Sequence, residues 1–422
     1  MVPMFRAMRF ALLALAACAT QAHAAMPLTL AQAMRLALNR NHDARLAAIA
    51  VDSAEAAQTQ ARAAPNPSLT LQTTNINPAA GVGAGGLRSK TVDSTVRVDQ
   101  LVERGGKREL RGAAAAQLVA AARADADDVR RQLRRDVGQA YYDLLAAQER
   151  VQVLVQLADL SEHALRAAQQ RERAGDLAPS DTLRLRMDAL RARNDADSAT
   201  ASLGQAQRAL ALLLGAEPGE LPSAVDGWPA PVVTDRAGAA IERRADVRAA
   251  QARLDAARAA HKLALAGRTR DITVGVQFEH YPASAANPQG SGNSVGIAVQ
   301  VPLFVRYGME GEVRSAQASV DAAEEALLRT RQLARAELDK AAAELRTSAA
   351  LVARFEHDIL PAARKASEAG EFAFSHGAAS VMDVLDVRRS YRAAELDAIA
   401  ARADFAKSAA AFDAAISEES KE

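Results

Sequence analysis

The sequence predicts a mainly α fold with four membrane-type β-strands, built twice over within 422 residues. Three observations lead there. The chain repeats itself at an offset of about 203 residues, carries helical patterns longer than any compact domain needs, and contains short segments of strict two-residue alternation. A period of that size exceeds any solenoid repeat, so it marks tandem copies of one whole structural unit. Asp43-Ala44-Arg45 corresponds to Asp246-Val247-Arg248, and Leu69-Thr70-Leu71 to Ile272-Thr273-Val274. Towards the end of each copy, Gly175, Asp181 and Leu183 match Gly377, Asp383 and Leu385. The copies are expected at 25–220 and 236–422, with a linker at 221–235; each reads helix, hairpin, very long helix, long helix.

The long helices come first in weight. The chain is 49% hydrophobic but only 4% aromatic, so its apolar fraction is mostly small alanine. No proline interrupts the stretch between Pro78 and Pro179. Within it Val129, Leu133, Val137, Tyr141, Leu144, Val151 and Val155 recur at helical spacings, an apolar stripe for a partner helix. A helix over 108–172 would reach roughly 100 Å at 1.5 Å per residue. The second copy repeats the pattern over 310–375, with Pro361 predicting a kink that the first copy lacks. Helices at 180–215 and 380–416 run back antiparallel to these.

The hairpins follow. In 91–101, Val92, Val96 and Val98 alternate with Asp93, Thr95, Arg97 and Asp99. In 271–281, Ile272, Val274, Val276 and Phe278 alternate with Thr273, Gly275, Gln277 and Glu279; 294–304 continues the pattern with Val295, Ile297, Val299 and Val301. Period two over about ten residues, apolar on one side and polar on the other, suits the wall of a membrane barrel. Tyr281 and Phe304 fall at strand ends, where interfacial aromatics belong. Lipid tolerates no unpaired strand edge, so four strands per chain require several chains to close one barrel. The Gly/Pro-rich segments 76–90 and 282–292 are expected as outward-facing loops.

The first 24 residues read as an export signal, with Arg6 and Arg9 ahead of an apolar run and Ala22-His23-Ala24 as a cleavage site. Leu15-Ala16-Ala17-Cys18 also has the form of a lipoprotein box, which would leave Cys18 lipidated; the two readings stand side by side. Cys18 is the sole cysteine, so an exported chain must rely on packing, sheet closure or oligomerisation rather than disulfides. After the signal no apolar run is long enough for a transmembrane helix. The net charge of +1 offers no basic face for nucleic acid.

Chemistry is sparse. Glu103-Arg-Gly-Gly-Lys-Arg108 lacks the spacing of a phosphate loop, since position 101 is Leu and no Ser or Thr follows Lys107. None of the seven histidines pairs with another at ligand spacing, and His376 alone lies near a predicted helix tip. No catalytic constellation, metal site or cofactor is read, and no enzyme. Asp383 and Asp386, three residues apart at a helix restart, share one helix face. A helix start favours acids by itself.

Several stretches together resemble the TolC-type outer-membrane efflux proteins, in particular their CzcC-like heavy-metal branch. They are LTLAQAMRLALNRN (28–41), APNPSLTL (64–71), QLVERGGKRELR (100–111), VQVPLF (299–304) and VMDVLD (381–386), in that order along a duplicated chain. The resemblance implies a trimer whose four strands per chain build one 12-stranded barrel in the outer membrane, continued by a coiled-coil helical tunnel in the periplasm. It further implies an efflux channel for divalent cations of the cobalt, zinc and cadmium type. Its partners would be a periplasmic adaptor and an inner-membrane RND-type transporter. Asp383 and Asp386 would line the periplasmic gate, and Asp176, Asp181 and His376 become candidates for gate or adaptor contacts. Some relatives hold that gate with a Tyr and an Arg where this chain has Phe374 and Ala379, so a latch here, if one exists, must be built otherwise. The competing readings are a drug-efflux or type I secretion duct and, from other classes, a periplasmic coiled-coil adaptor or a structural protein. An adaptor should carry one helical hairpin and a compact β domain instead of a duplicated chain.

Overall fold

The structure, a computed structural model, describes residues 25–76, 92–217, 219–232, 241–283, 288–376 and 378–416. The expected leader with Cys18, Gly377, and most of the loop at 76–90 lie outside the described residues, as do 284–287 of the second loop. The first half runs β1 (Ala25–Leu28), α1 (Leu30–Arg40), α2 (His42–Arg62), β2 (Ser68–Thr74), β3 (Asp93–Val102), α3 (Lys107–Arg173) and α4 (Pro179–Leu214). The second runs β4 (Leu221–Ala224), α5 (Ala245–Ala266), β5 (Ile272–Tyr281), β6 (Gly292–Gln300) and α6 (Glu310–Arg354). A π turn (Phe355–Ile359), α7 (Leu360–Ser375) and α8 (Val381–Ile416) complete it. Both returning helices, α4 and α8, are 36 residues long.

Two units emerge from the packing. One comprises the described residues up to Ala47 with Asp127–Arg244 and from Leu333 onward; the other comprises Ala48–Ala126 and Ala245–Gln332.

The second of these holds the sheet, antiparallel in the order β2-β3-β5-β6. Its register aligns the alternation of all four strands. Leu71, Val96, Phe278 and Val295 form one cross-strand row, and Leu69, Val98, Val276 and Ile297 the next. These residues are all exposed in the single chain. The opposite face carries Thr70, Arg97, Gln277 and Asp99, with Arg97 clamped on Asp99 at 2.8 Å. Asp99 sits across from Gly275, where any Cβ would collide with its carboxylate. The outer edges of β2 and β6 have no strand partner among the described residues. β6 ends at Gln300, four residues earlier than the alternation predicted, because Pro302 has no N–H for the ladder. Phe304 therefore lies beyond the strand, under the Arg270 guanidinium at 5.6 Å.

The other unit is helical. α1 opens with a reciprocal cap in which Gln32 N–H donates to Thr29 Oγ1 at 3.2 Å and Thr29 N–H to Gln32 Oε1 at 2.9 Å. The chain then breaks at Asn41, whose Oδ1 accepts from the amides of Asp43 and Ala44 and so restarts the helix as α2. Along α4 the buried residues Thr182, Leu185, Ala189, Ala192, Ala196 and Ala199 alternate at three and four, a heptad seam made largely of alanine. Small seam residues let helix axes approach closely, which accounts for an apolar but aromatic-poor composition. In the second copy Pro361 cannot donate backward, and the helix absorbs this in the π turn, where Leu360 N–H reaches Phe355 O. The irregularity next to Pro361 is thus a π turn, whereas α3, without a proline, runs unbroken for 67 residues.

A core of Val137, Tyr141, Leu144, Leu210 and Leu214 packs α3 against α4, α1 and a two-stranded parallel pair, β1 with β4. The segment expected as a plain linker thus contributes a strand. Tyr141 is fully buried, and its hydroxyl donates to Leu28 O at 3.0 Å while accepting from Asp226 N at 3.0 Å and Val225 N at 3.2 Å. No helix among the described residues is long and apolar enough to cross a membrane.

Candidate functional site

The two helical hairpins end in turns made by different local chemistry. After α3, Gly175 adopts φ 82°, and Asp176 N–H reaches back to Arg171 O at 2.8 Å, closing the helix end. Ala178 and Pro179 then start α4, where Pro costs no hydrogen bond. Asp181 donates its amide to Ala178 O at 3.0 Å and holds a long 3.5 Å contact to Arg184; Asp176 is exposed.

After α7 the chain turns through His376 and restarts at Ser380. His376 is exposed, with Nδ1 2.9 Å from Phe372 O and its ring 4.1 Å from that of Phe372. Ser380 and Asp383 cap α8 reciprocally. Asp383 N–H donates to Ser380 Oγ at 3.2 Å, while Asp383 Oδ2 accepts from the Ser380 hydroxyl at 2.8 Å and amide at 2.9 Å. The Ser380 hydroxyl, and then its amide, hold the Asp383 carboxyl below its ordinary pKa. Crowding among like charges would push the other way, so the local cap opposes any proton uptake at this position. Asp386 lies exposed one turn further. Among the described residues no cluster of three or more His, Cys, Asp or Glu could hold a metal.

The hairpins meet across a cleft of about 370 Å³ lined by Leu177, Leu185, Phe374, Val384 and Leu385, with Arg171, Arg388 and Glu371 at its polar side. Phe374 thus lines this cleft, at the position where some relatives are expected to carry a Tyr. The ionic contacts lie one to two turns beyond the acids. Arg388 Nε donates to Glu371 at 2.8 Å, joining α8 to α7, and Arg389 pairs with Asp188, joining α8 to α4. Arg392 lines a neighbouring cleft of about 380 Å³, where burial and the adjacent Arg388 lower its pKa. Sequence reasoning passed over these arginines. The doublet Arg388-Arg389 directly after the Asp383/Asp386 pair was the available signal, but nothing local names Asp188 as its partner.

The fold is that of a duplicated helical chain whose four-stranded sheet leaves an apolar face exposed. The chain belongs to the outer membrane efflux protein family, whose model matches residues 33–216 and again 237–418. It is 30% identical over 370 residues to the cobalt-zinc-cadmium resistance protein CzcC of Cupriavidus metallidurans, covering 87% of this chain and 84% of that one. It is 29% identical over 336 residues to the protein CyaE of Bordetella pertussis, covering 76% and 70%. Among solved structures, CusC superposes with a TM-score of 0.77 at 19% identity over 93% of this chain and 92% of that one. The outer membrane protein VceC of Vibrio cholerae superposes with a TM-score of 0.73 at 19% identity over 92% and 95%.

Proposed function

We propose that this chain is the outer-membrane duct of a tripartite pump exporting divalent heavy-metal cations, working with a periplasmic adaptor and an inner-membrane RND-type transporter. The observation that carries the metal reading is the likeness to the cobalt-zinc-cadmium resistance protein along most of both chains. The two copies, 25–220 and 236–422, would contribute two strands each to a trimeric 12-stranded barrel, with the helical hairpins forming a periplasmic tunnel. The apolar rows of the sheet support the membrane reading, since exposing them to water would be unfavourable while lipid accepts them. The outer edges of β2 and β6, without a strand partner among the described residues, support closure by further copies.

At the tunnel mouth, Asp383 and Asp386 of three chains would gather six carboxylates around one axis, a ring that attracts cations. Asp176, Asp181 and His376 lie on the turns beside it, exposed or half-exposed, as adaptor contact requires. Deleting the gene should sensitise cells to zinc, cobalt or cadmium while leaving dye and detergent tolerance unchanged; the reverse pattern would favour a drug duct. In planar bilayers, Asp383→Asn with Asp386→Asn should abolish cation selectivity and relieve block by multivalent cations. Neutralising Asp43 and Asp246, at the starts of α2 and α5, should do neither. Equal selectivity and block in wild type and double variant would reduce the acids to helix caps.

A further inference from the structure

The four strands β2, β3, β5 and β6 together contain a single Lys or Arg, and it is Arg97, on the polar face of the sheet. The carboxylates on that face are Asp93, Asp99 and Glu279. Arg97 and Asp99 are two residues apart on one strand and so point to the same side. Arg97 Nε donates to Asp99 Oδ1 at 2.9 Å and to Oδ2 at 2.8 Å, and Nη2 donates to Oδ1 at 2.8 Å. A forked contact of this kind fixes the orientation of the guanidinium as well as countering its charge.

The pair also lies flat. Asp99 stands opposite Gly275 in the register, and a Cβ there would collide with the Asp99 carboxylate and come within 3.0 Å of Arg97 Nη2. Both side chains therefore lean across the β5 backbone, and they are only 30% and 18% exposed on a face that no other element of the sheet covers. The arrangement recurs one strand further on, where a Cβ at Gly296 would meet the Gln277 side chain at 3.1 Å. Glycine in a strand permits this close approach. Glu279 is held differently: its printed contact is the neutral Ser294 hydroxyl at 3.4 Å, which leaves the carboxylate its charge.

We propose that Asp99 is a specificity determinant of the duct, holding Arg97 against the wall as a neutral pair so that Glu279 sets the sign of the barrel interior and cations pass unopposed. The proposal rests on the trimeric duct reading, in which the polar face lines the bore. It adds a charge control within the barrel, separate from the acids at the helical tips. Released from Asp99, the Arg97 side chains of three chains would form a cationic ring, which favours anions over cations.

Thiol chemistry at Gln277, directly across from Arg97 in the register, reads the local charge without passing current through the tips. Gln277→Cys protein in outer membranes is treated at low salt with a cationic and with an anionic methanethiosulfonate, and the two rates are compared. Cys18 is the only native cysteine, so protein with Gln277 intact serves as the blank. The cationic reagent should react faster. Adding Asp99→Asn should lower the cationic-to-anionic ratio several-fold, adding Arg97→Gln should raise it several-fold, and adding both should restore it. All these differences should shrink at high salt. In planar bilayers, with Asp383→Asn and Asp386→Asn present to silence the tips, cation-over-anion permeability should move in the same directions. Arg97→Gln decides alone where Asp99→Asn does not assemble.

An unchanged rate ratio in heat-modifiable trimers would overturn the proposal and leave the duct reading intact. A shifted ratio with unchanged permeability would reduce the pair to a strap between strands and overturn its role in selectivity. Val276→Cys, on the apolar face, should resist both reagents. A soluble monomer in every sample, wild type included, or a reactive Val276→Cys beside an inert Gln277→Cys, would overturn the duct reading together with the proposal.

Discussion

Replacing Tyr141 by Phe removes one oxygen from a fully buried ring and leaves the ring's volume in place, so no cavity opens. What changes is hydrogen bonding where α3 meets β1 and the segment after β4. Three contacts disappear: to Leu28 O, from Val225 N and from Asp226 N. They are not equal losses. Val225 N–H also donates to Leu28 O at 3.2 Å, so those two groups keep each other as partners. Asp226 N–H loses the partner that Tyr141 supplied in a half-buried position. One orphaned amide and one weakened carbonyl amount to about 2 kcal/mol, given roughly 1–3 kcal/mol for each buried group left unsatisfied. That corresponds to about a 30-fold change in a local opening equilibrium. Hydrogen exchange read by mass spectrometry should therefore show amides of 221–228 exchanging about 30-fold faster in the variant. Peptides from the middle of α8 should keep wild-type rates. Unaltered protection across 221–228 would refute the claim that this hydroxyl pins the connection between the two copies.

Ser380→Ala should release the Asp383 carboxyl upward towards its ordinary pKa, read by carbon-detected NMR titration of labelled protein. Because the cap depresses that pKa in the folded chain, its stabilising contribution is present above the unfolded value and is lost as pH falls through the folded one; the variant should lack this acid-side loss. Asp188→Asn breaks the Arg389 link between α4 and α8, and should raise channel conductance at low salt with a smaller effect at high salt, measured in planar bilayers. Gly275→Val drives a side chain into the Arg97–Asp99 pair, and should lower the yield of heat-modifiable protein in outer-membrane fractions several-fold. Val274→Thr, on the apolar face, should cost far less.

How much of this was legible in the sequence depends on the range of the forces involved. Helix ends were readable to within about two residues because Pro179, Gly175 and Pro361 act on their own backbone. Strand faces were readable because alternation is a property of the pleat, and the cross-strand rows only assemble what each strand already displayed. The duplication was readable because it is written in the residues themselves, with family matches falling once in each half.

Tertiary structure decided the rest. β1 and β4 are four residues each, too short to show a period, and exist only because Ala25 to Leu28 and Leu221 to Ala224 find each other over the Tyr141 core. The break at Asn41 is fixed by its side chain, which caps α2 through Oδ1 and reaches Leu213 O through Nδ2. At the hairpin tips the sequence named the acids, but Asp188 and Arg389 stand 201 residues apart, and no local pattern links two charges at that separation. The apolar stripe from Leu183 to Leu190 is visible as a helical spacing, yet a spacing cannot say whether a face is covered. Only the packed chain shows that α4 spends its alanine face internally and leaves the leucines outward, because burial is a property of the whole assembly of helices.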